Sequence, residues 1–114
     1  MKVCKFGGSS LADAGQLGKV LDIVLADSER RVVVVSAPGK RDGKDTKVTD
    51  LLIALAEGAW NGENVASKLD AVVERYASIA RELKLGEVVV DAIRRDLEGR
   101  LAKRSELDAR EFLD

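Results

Sequence analysis

The sequence predicts an α/β fold built from a parallel βαβ unit and a helical hairpin. Three features of the first 35 residues carry this prediction: residues 1–6 form a short apolar segment before a glycine pair, residues 11–27 have apolar side chains at helical spacing, and residues 32–35 are four consecutive valines. A β-branched run without a polar side is typical of a parallel strand covered by helices on both faces. With 114 residues, the chain is long enough for one small domain.

The first strand and the first helix are predicted from residues 1–27. The strand ends at Phe6, because the two glycines that follow it indicate a tight turn. Ser9 and Ser10 come next and are expected to cap the helix. Apolar residues then recur at spacings of three and four, so the helix is expected to extend to about Asp27.

The second strand is predicted over residues 31–36. A strand–helix–strand unit has a right-handed crossover, which places the turns after Phe6 and Val35 at the carboxyl edge of the sheet, where α/β proteins bind ligands. Two strands alone cannot enclose a run of four valines, because the outer backbone amides would lack partners. The chain is therefore expected either to be part of a larger α/β domain or to complete its sheet with another copy of itself.

The remaining residues are predicted to form a charged loop followed by helices. Residues 37–47 are rich in Gly, Lys and Asp and indicate a long, mobile loop. The next helix is expected to be capped by Thr49 or Asp50 and to end at residues 60–62. Two further apolar stripes predict a helical hairpin. The valines at 88–90 would also fit a strand, but the spacing after them favours a helix.

The composition excludes several classes of function. The chain has no histidine, which excludes histidine-based catalysis and histidine-bearing metal sites. Its 19 basic and 20 acidic residues nearly cancel, so neither nucleic acid nor a membrane is an expected partner. The single cysteine, Cys4, is expected to be a small buried residue and fits a cytoplasmic location. Trp60 and Tyr76 are expected to pack in the core or in the helical hairpin.

A phosphate-binding turn is predicted directly after the first strand. A lysine at the end of a strand, two glycines and two hydroxyls at a helix start gather a cation, backbone N–H groups and a helix dipole around one point. These residues are Lys5, Gly7, Gly8, Ser9 and Ser10. The glycines would let the backbone approach phosphate oxygens closely. The same residues also fit an ordinary βα turn with a capping serine and a solvent-facing lysine.

The loop after the valine strand differs from a nucleotide-binding P-loop. Gly39 and Gly43 are separated by three residues, whereas that motif requires four. The loop is therefore interpreted as solvated and charged, with direct phosphate binding as the less favoured alternative. Ser36 ends the strand and is expected to face the glycine turn, where it would either donate a hydrogen bond to a ligand or simply terminate the strand.

Three blocks of the sequence resemble the start of the aspartate kinases. They are residues 5–12 (KFGGSSLA), 32–39 (VVVVSAPG) and 48–58 (VTDLLIALAEG), and their order and spacing also agree. Residues 62–104 are similar to a helical-hairpin insertion of these enzymes, and residues 108–113 (DAREFL) resemble the approach to a later motif. The resemblance implies a three-layer αβα amino-acid kinase-like fold. Residues 1–114 would be its N-terminal portion, with the βαβ unit and the hairpin.

The resemblance also implies a reaction: transfer of the γ-phosphate of ATP to the side-chain carboxylate of L-aspartate, giving 4-phospho-L-aspartate in lysine, threonine and methionine biosynthesis. A carboxylate is already an anionic nucleophile, so the reaction needs positioning and charge neutralisation by lysine, Mg²⁺ and backbone amides, and no histidine base. By position, Lys5 would be the catalytic lysine. Phosphate binding would fall to Lys5, Gly7, Gly8, Ser9 and Ser10, and L-aspartate binding to Ser36 and Thr49.

Three interpretations of the chain fit its sequence. The first is a truncated aspartate kinase that ends at Asp114, before a glutamate-bearing motif, and is inactive by itself. Its parent enzyme would use ATP and Mg²⁺ without a metal ligand in this chain and would form a homo-oligomer. The second is a stand-alone helical interaction or dimerisation module derived from the kinase start. The third is another amino-acid kinase, acting on glutamate or acetylglutamate, which the second and third blocks disfavour.

Overall fold

The computed structural model describes residues 1–103, and it divides the chain into two compact units between Thr49 and Asp50. The elements, in order, are β1 (Lys2–Phe6), a 3₁₀ turn (Gly8–Leu11), α1 (Ala14–Leu25), β2 (Arg30–Val35), α2 (Val48–Trp60), α3 (Ala66–Glu82) and α4 (Glu87–Ala102). The resemblance noted at residues 108–113 falls outside the described residues. No helix within residues 1–103 has both the length and the apolar character needed to cross a membrane.

The first unit contains the predicted parallel strand pair. β1 and β2 lie side by side with Val3 opposite Val32 and Phe6 opposite Val35, and the register is irregular only at the start, between Lys2 and Val3. Helix α1 connects the strands in sequence and contacts β2. The α/β class is therefore confirmed, and the parallel register brings the ends of both strands to one edge of the sheet.

The start of α1 differs from the prediction. Ser9 and Ser10 do not cap it, because they lie in the 3₁₀ turn, which the Ser10 N–H closes with a 3.1 Å hydrogen bond to the Gly7 carbonyl oxygen. The helix begins at Ala14, and the carboxylate of Asp13 accepts the N–H of Gln16 at 2.9 Å. Aspartate and serine are comparable helix caps, but aspartate also places a negative charge at the positive end of the helix.

The valines of β2 are not enclosed. Their exposed fractions range from 39 % at Val32 to 58 % at Val35, and the sheet formed by residues 1–103 has two strands. The expected cover on both faces is therefore missing from the described part of the chain. Cys4 is only partly buried. These exposures agree with the expectation that the sheet by itself is incomplete.

The turn before β2 is organised by the carboxylate of Asp27. One carboxylate oxygen accepts the N–H of Glu29 at 2.9 Å, and the other lies 2.6 Å from the Lys2 ammonium. The hydrogen bond from Lys2, helped by the Glu29 amide, lowers the pKa of the Asp27 carboxyl below its ordinary value. Since β1 begins at Lys2 and β2 begins at Arg30, this ion pair joins the N-terminal ends of the two strands.

The second unit is helical and has its own core. Leu55, Leu69, Val72 and Val73 are its buried centre, and Tyr76 packs against them as predicted. Seven partly buried residues surround this centre: Leu51, Leu52, Val65, Tyr76, Val90, Leu97 and Leu101. The valines at 88–90 belong to α4, so the helical interpretation of that segment is confirmed.

Two predicted details of the helices are corrected. α2 begins at Val48, so Thr49 and Asp50 lie in its first turn and do not precede it as caps. Trp60, expected to pack in the core or in the hairpin, is 47 % exposed because it is the last residue of α2, where the chain turns at Gly62 with a φ of 76°. The interpretation of residues 62–104 as an insertion in a larger domain stays a prediction.

Candidate functional site

The carboxyl ends of β1 and β2 meet at one turn-rich edge of the first unit. The N–H of Ser36 donates to the carbonyl oxygen of Phe6 at 3.3 Å, which continues the strand pairing by one residue. Ser36 therefore lies beside the glycine turn that follows β1. This is the arrangement expected for two parallel strands joined by a helix, and it is the usual ligand-binding edge of such sheets.

Gly8 and Gly39 hold the two turns together by direct backbone contact. The Gly39 N–H donates to the Gly8 carbonyl oxygen at 2.7 Å. A Cβ atom on Gly39 would lie 2.7 Å from the Gly8 carbonyl carbon, and one on Gly8 would lie 3.0 Å from the Ala37 carbonyl oxygen. Both distances are shorter than ordinary van der Waals contacts, so neither position has room for a side chain.

Gly7 is in a different situation from Gly8. A Cβ atom added at Gly7 would meet nothing within 4 Å. Its φ and ψ angles of −79° and 174° are extended values that any residue adopts. The packing of the described residues therefore gives no reason for glycine at position 7, whereas it does at position 8.

The loop from Pro38 to Val48 is closed on itself. The Val48 N–H donates to the Pro38 carbonyl oxygen at 2.9 Å, and Pro38, Gly39 and Val48 are all buried. A compact surface loop whose ends lie together in this way is an Ω-loop. The sequence predicted a mobile loop from its charged and glycine-rich composition, but the anchoring contacts are made by the backbone, which composition does not reveal.

An ion pair inside the loop adds to this closure. The Arg41 guanidinium donates to both carboxylate oxygens of Asp45, at 2.7 and 3.1 Å, and the Arg41 backbone N–H donates to the same carboxylate at 3.0 Å. The hydrogen bond to Asp45 is the main reason that the pKa of Arg41 is raised above its ordinary value. The Asp42 carboxylate accepts the Lys44 N–H at 2.8 Å. The side chains of Arg41, Asp42 and Asp45 thus make their hydrogen bonds within the loop.

These turns and the loop enclose an open cavity of about 430 Å³. Its lining residues are Gly8, Ser9, Ser36, Ala37, Pro38, Gly39, Lys40, Lys47 and Thr49. Four of the residues predicted from sequence are brought together in it: Gly8, Ser9, Ser36 and Thr49. Three others do not line it: Lys5, Gly7 and Ser10. Lys5 lies on β1 opposite Val34 with its side chain exposed.

The cavity is suited to an anion. Its lining contains two lysines and three hydroxyl groups, and no lining residue is Asp or Glu. Neither Lys40 nor Lys47 forms an ion pair with another residue of the described 1–103 segment. Two cations that form no ion pair within residues 1–103 give such a concave surface a positive potential. Carboxylate and phosphoryl groups are the ligands that this arrangement favours.

Sequence reasoning did not single out Lys40 and Lys47. Both belong to the loop that was interpreted as solvated, because the P-loop spacing failed there. The signal that could have found them is their position, since Lys40 directly follows the 32–39 block and Lys47 directly precedes the 48–58 block. When the loop between these two blocks closes, the residues at its two ends are brought to the site.

The described residues do not form a metal site of their own. Within residues 1–103 there is no group of three or more His, Cys, Asp or Glu side chains placed to hold a metal ion. Lysines, hydroxyls and backbone groups are what this chain contributes to the lining of the cavity.

Comparison with known proteins gives a consistent result. Residues 1–106 match the model of the amino acid kinase family. Aspartokinase 3 of Bacillus subtilis is 58 % identical over 97 residues, which is 85 % of this chain and 21 % of that protein. The lysine-sensitive aspartokinase 3 of Escherichia coli is 41 % identical over 96 residues, 84 % of this chain and 20 % of that protein.

Solved structures agree with these relatives. The aspartate kinase of Clostridium acetobutylicum matches with a TM-score of 0.82 at 35 % identity, over 90 % of this chain and 23 % of that one. Escherichia coli aspartokinase III, solved with aspartate and ADP, matches with a TM-score of 0.59 at 37 % identity, over 97 % of this chain and 22 % of that one. The chain thus spans about a fifth of the length of the two bacterial aspartokinases named above. The resemblance seen in the sequence is confirmed.

Proposed function

The chain belongs to the amino acid kinase family, and we propose that it forms the first part of an aspartate kinase, which transfers the γ-phosphoryl group of ATP to the side-chain carboxylate of L-aspartate. The observation that carries this proposal is the cavity at the carboxyl edge of the sheet. It gathers Ser9, Ser36 and Thr49 with two lysines and contains no acidic side chain. The relatives, which are named aspartokinases, support the choice of aspartate as the acceptor.

The chemistry of the cavity suits a reaction between two anions. A carboxylate attacks a phosphoryl group without losing a proton, so no general base is needed. The main barrier that a protein can lower is the repulsion between the carboxylate and the phosphate oxygens, together with the loss of freedom when they meet. Cationic side chains and preorganised hydrogen-bond donors lower both costs, and these are the groups that line the cavity.

We assign roles to the predicted site residues within this proposal. The Gly8 backbone and the Ser9 hydroxyl would contact the phosphate, and Ser36 and Thr49 would bind L-aspartate. The roles of Lys5 as catalytic lysine and of Gly7 and Ser10 in phosphate binding rest on the resemblance to aspartate kinases, since these residues do not line the cavity. Mg²⁺ would enter with the nucleotide and offset phosphate charge, and no residue of this chain is assigned to it.

Two other aspects of the proposal concern the whole protein. The parent enzyme is proposed to be a cytoplasmic homo-oligomer, and the single cysteine fits a reducing compartment. The stand-alone interaction module is not favoured, because the named relatives are aspartokinases that match over most of this chain. A kinase for glutamate or acetylglutamate is the remaining alternative, and the choice of acceptor acid distinguishes it.

A hybrid enzyme tests the proposal. This chain replaces the corresponding first fifth of Aspartokinase 3 from Bacillus subtilis, to which it is 58 % identical. We expect the hybrid kinase to form ADP in the presence of L-aspartate, and to do so much more slowly with L-glutamate or N-acetyl-L-glutamate. The isolated 114-residue chain is expected to form none. A folded hybrid without aspartate-dependent ADP formation would overturn the proposal, and so would a preference for either other acid.

A further inference from the structure

We propose that Lys40 and Lys47 are anion-binding residues of the cavity, and that Asp45 positions them through its ion pair with Arg41. The inference rests on the proposed function in one respect only, which is the identity of the anion. It adds two substrate-contacting lysines and one positioning carboxylate to the residues assigned above.

The position of the two lysines follows from the anchored ends of the loop. Lys40 follows the buried Gly39, whose N–H is hydrogen-bonded to Gly8, and Lys47 precedes Val48, which is fully buried. The hydrogen bond from Val48 to Pro38 joins these two ends. The Cα atoms of both lysines are therefore fixed at the cavity, while their exposed ammonium groups can reach a bound ligand.

The charged residues of the loop include one paired arginine and two lysines that line the cavity. Arg41 is matched by Asp45 through two hydrogen bonds from the guanidinium and a third from its own backbone N–H. Lys40 and Lys47 line the cavity and have no ion-pair partner among residues 1–103. An arginine that donates two hydrogen bonds to one carboxylate is held rigidly. A lysine without an ion-pair partner is instead a mobile point charge that can follow an incoming oxyanion.

The ligand chemistry is an oxyanion, either the carboxylate of the amino acid or a phosphoryl group of the nucleotide. Both carry the negative charge that the cavity lacks, and each is small relative to a volume of about 430 Å³. The two sources are separated by kinetics, because a lysine that contacts L-aspartate changes the KM for L-aspartate, and one that contacts ATP changes the KM for ATP.

Charge-removing variants of the hybrid kinase test the lysines. We expect Lys40→Gln and Lys47→Gln each to raise the KM for one of the two substrates about tenfold, as loss of a hydrogen bond to a charged group does. Lys47→Arg should retain most of the affinity. Lys44→Gln is the matched control, because Lys44 is an exposed lysine of the same loop that does not line the cavity. It should leave both KM values unchanged.

Asp45→Asn tests the positioning role, and the sign of its effect is informative. Removal of a negative charge near the cavity would by itself strengthen anion binding and lower the KM. If the carboxylate acts by holding the loop, the KM that Lys47→Gln raises should rise instead. Adding Asp45→Asn to the double variant Lys40→Gln, Lys47→Gln should then have little further effect, because both residues that it positions are gone. A lowered KM or fully additive effects would overturn the positioning role.

The outcomes also separate this inference from the proposed function. An active hybrid in which Lys40→Gln and Lys47→Gln behave like Lys44→Gln would overturn the inference and leave the proposed function intact. If the hybrid is inactive, the lysines are tested by titrating the 114-residue chain with inorganic phosphate and recording the amide NMR signals of Gly8 and Ser9. Shifts that the double lysine variant abolishes support the inference, and shifts that persist in it, or no shifts at all, overturn it.

Discussion

The contact between Gly8 and Gly39 leads to a quantitative prediction about the stability of the first unit. In Gly39→Ala, the new Cβ atom would lie 2.7 Å from the Gly8 carbonyl carbon and 2.9 Å from the Ser9 nitrogen. Favourable contacts between such atoms need about 3.5–4.0 Å, so the two turns must separate. That movement lengthens the 2.7 Å hydrogen bond from the Gly39 N–H to the Gly8 carbonyl oxygen.

The expected cost combines two effects. Overpacking of this kind costs about 1–3 kcal/mol, and a weakened buried hydrogen bond adds roughly 1 kcal/mol. We therefore expect Gly39→Ala to lower the free energy of unfolding by about 2–4 kcal/mol. Gly8→Ala should cost less, about 1–2 kcal/mol, because its closest contact is 3.0 Å from the Ala37 carbonyl oxygen. Gly7→Ala should change the stability by less than about 0.5 kcal/mol.

Urea unfolding followed by circular dichroism measures these differences, and hydrogen exchange of the Ser36 amide, which donates to Phe6, localises them to the joined turns. Gly7→Ala is the matched control because its Cβ meets nothing within 4 Å. In the hybrid kinase, a rise in the KM for ATP with unchanged stability would show that the ligand requires a bare backbone at Gly7. The reasoning is refuted if Gly39→Ala is as stable as the parent chain, or if Gly7→Ala is as costly as Gly39→Ala.

Three further predictions concern packing, helix propensity and pH. Val72→Ala should lower the free energy of unfolding by about 2 kcal/mol, because the side chain is fully buried in the helical core; Trp60 fluorescence in urea would measure it, and a change below about 0.5 kcal/mol would contradict that packing. Gly99→Ala should raise stability by up to about 1 kcal/mol, because its Cβ would be in open space within α4; a lowered midpoint of thermal unfolding would contradict this. The pKa of Asp27 is lowered in the folded chain, so the stabilisation from its carboxylate is present above the ordinary carboxyl pKa of 3.8 and is lost as the pH falls through the pKa of the folded state. Asp27→Asn, which also loses the charge that pairs with Lys2, should therefore flatten the dependence of the free energy of unfolding on pH in this acid range. An unchanged acid dependence would count against the ion pair.

Much of the local structure of this chain could be predicted from local patterns. The apolar segment before Gly7, the valine run, and the apolar stripes at helical spacing predicted β1, β2 and the helices, including α4 where three valines also fitted a strand. These predictions were confirmed because period and propensity act over a few neighbouring residues. The start of α1 was wrong by several residues, because Asp13 competed with Ser9 and Ser10 for the cap and the chain tightened into a 3₁₀ turn first.

The candidate site could be predicted only in part. The topology of a parallel βαβ unit was enough to place Ser36 beside the glycine turn. It was not enough to show that Gly39 packs against Gly8, that the Pro38–Val48 loop is closed, or that Lys40 and Lys47 line the cavity. These features depend on backbone contacts between residues 10 apart, as in Pro38 and Val48, and 31 apart, as in Gly8 and Gly39, which no local pattern encodes.

The sequence by itself therefore determined the α/β class, the order of the elements, the absence of histidine chemistry and the resemblance to the aspartate kinases. The tertiary structure decided which residues share the cavity and why two glycines are needed there. It also decided which charges of the loop are matched internally and which are left for a ligand. The physical reason is that secondary structure follows from local propensity and periodicity, whereas a cavity and its net charge arise only when distant segments fold against one another.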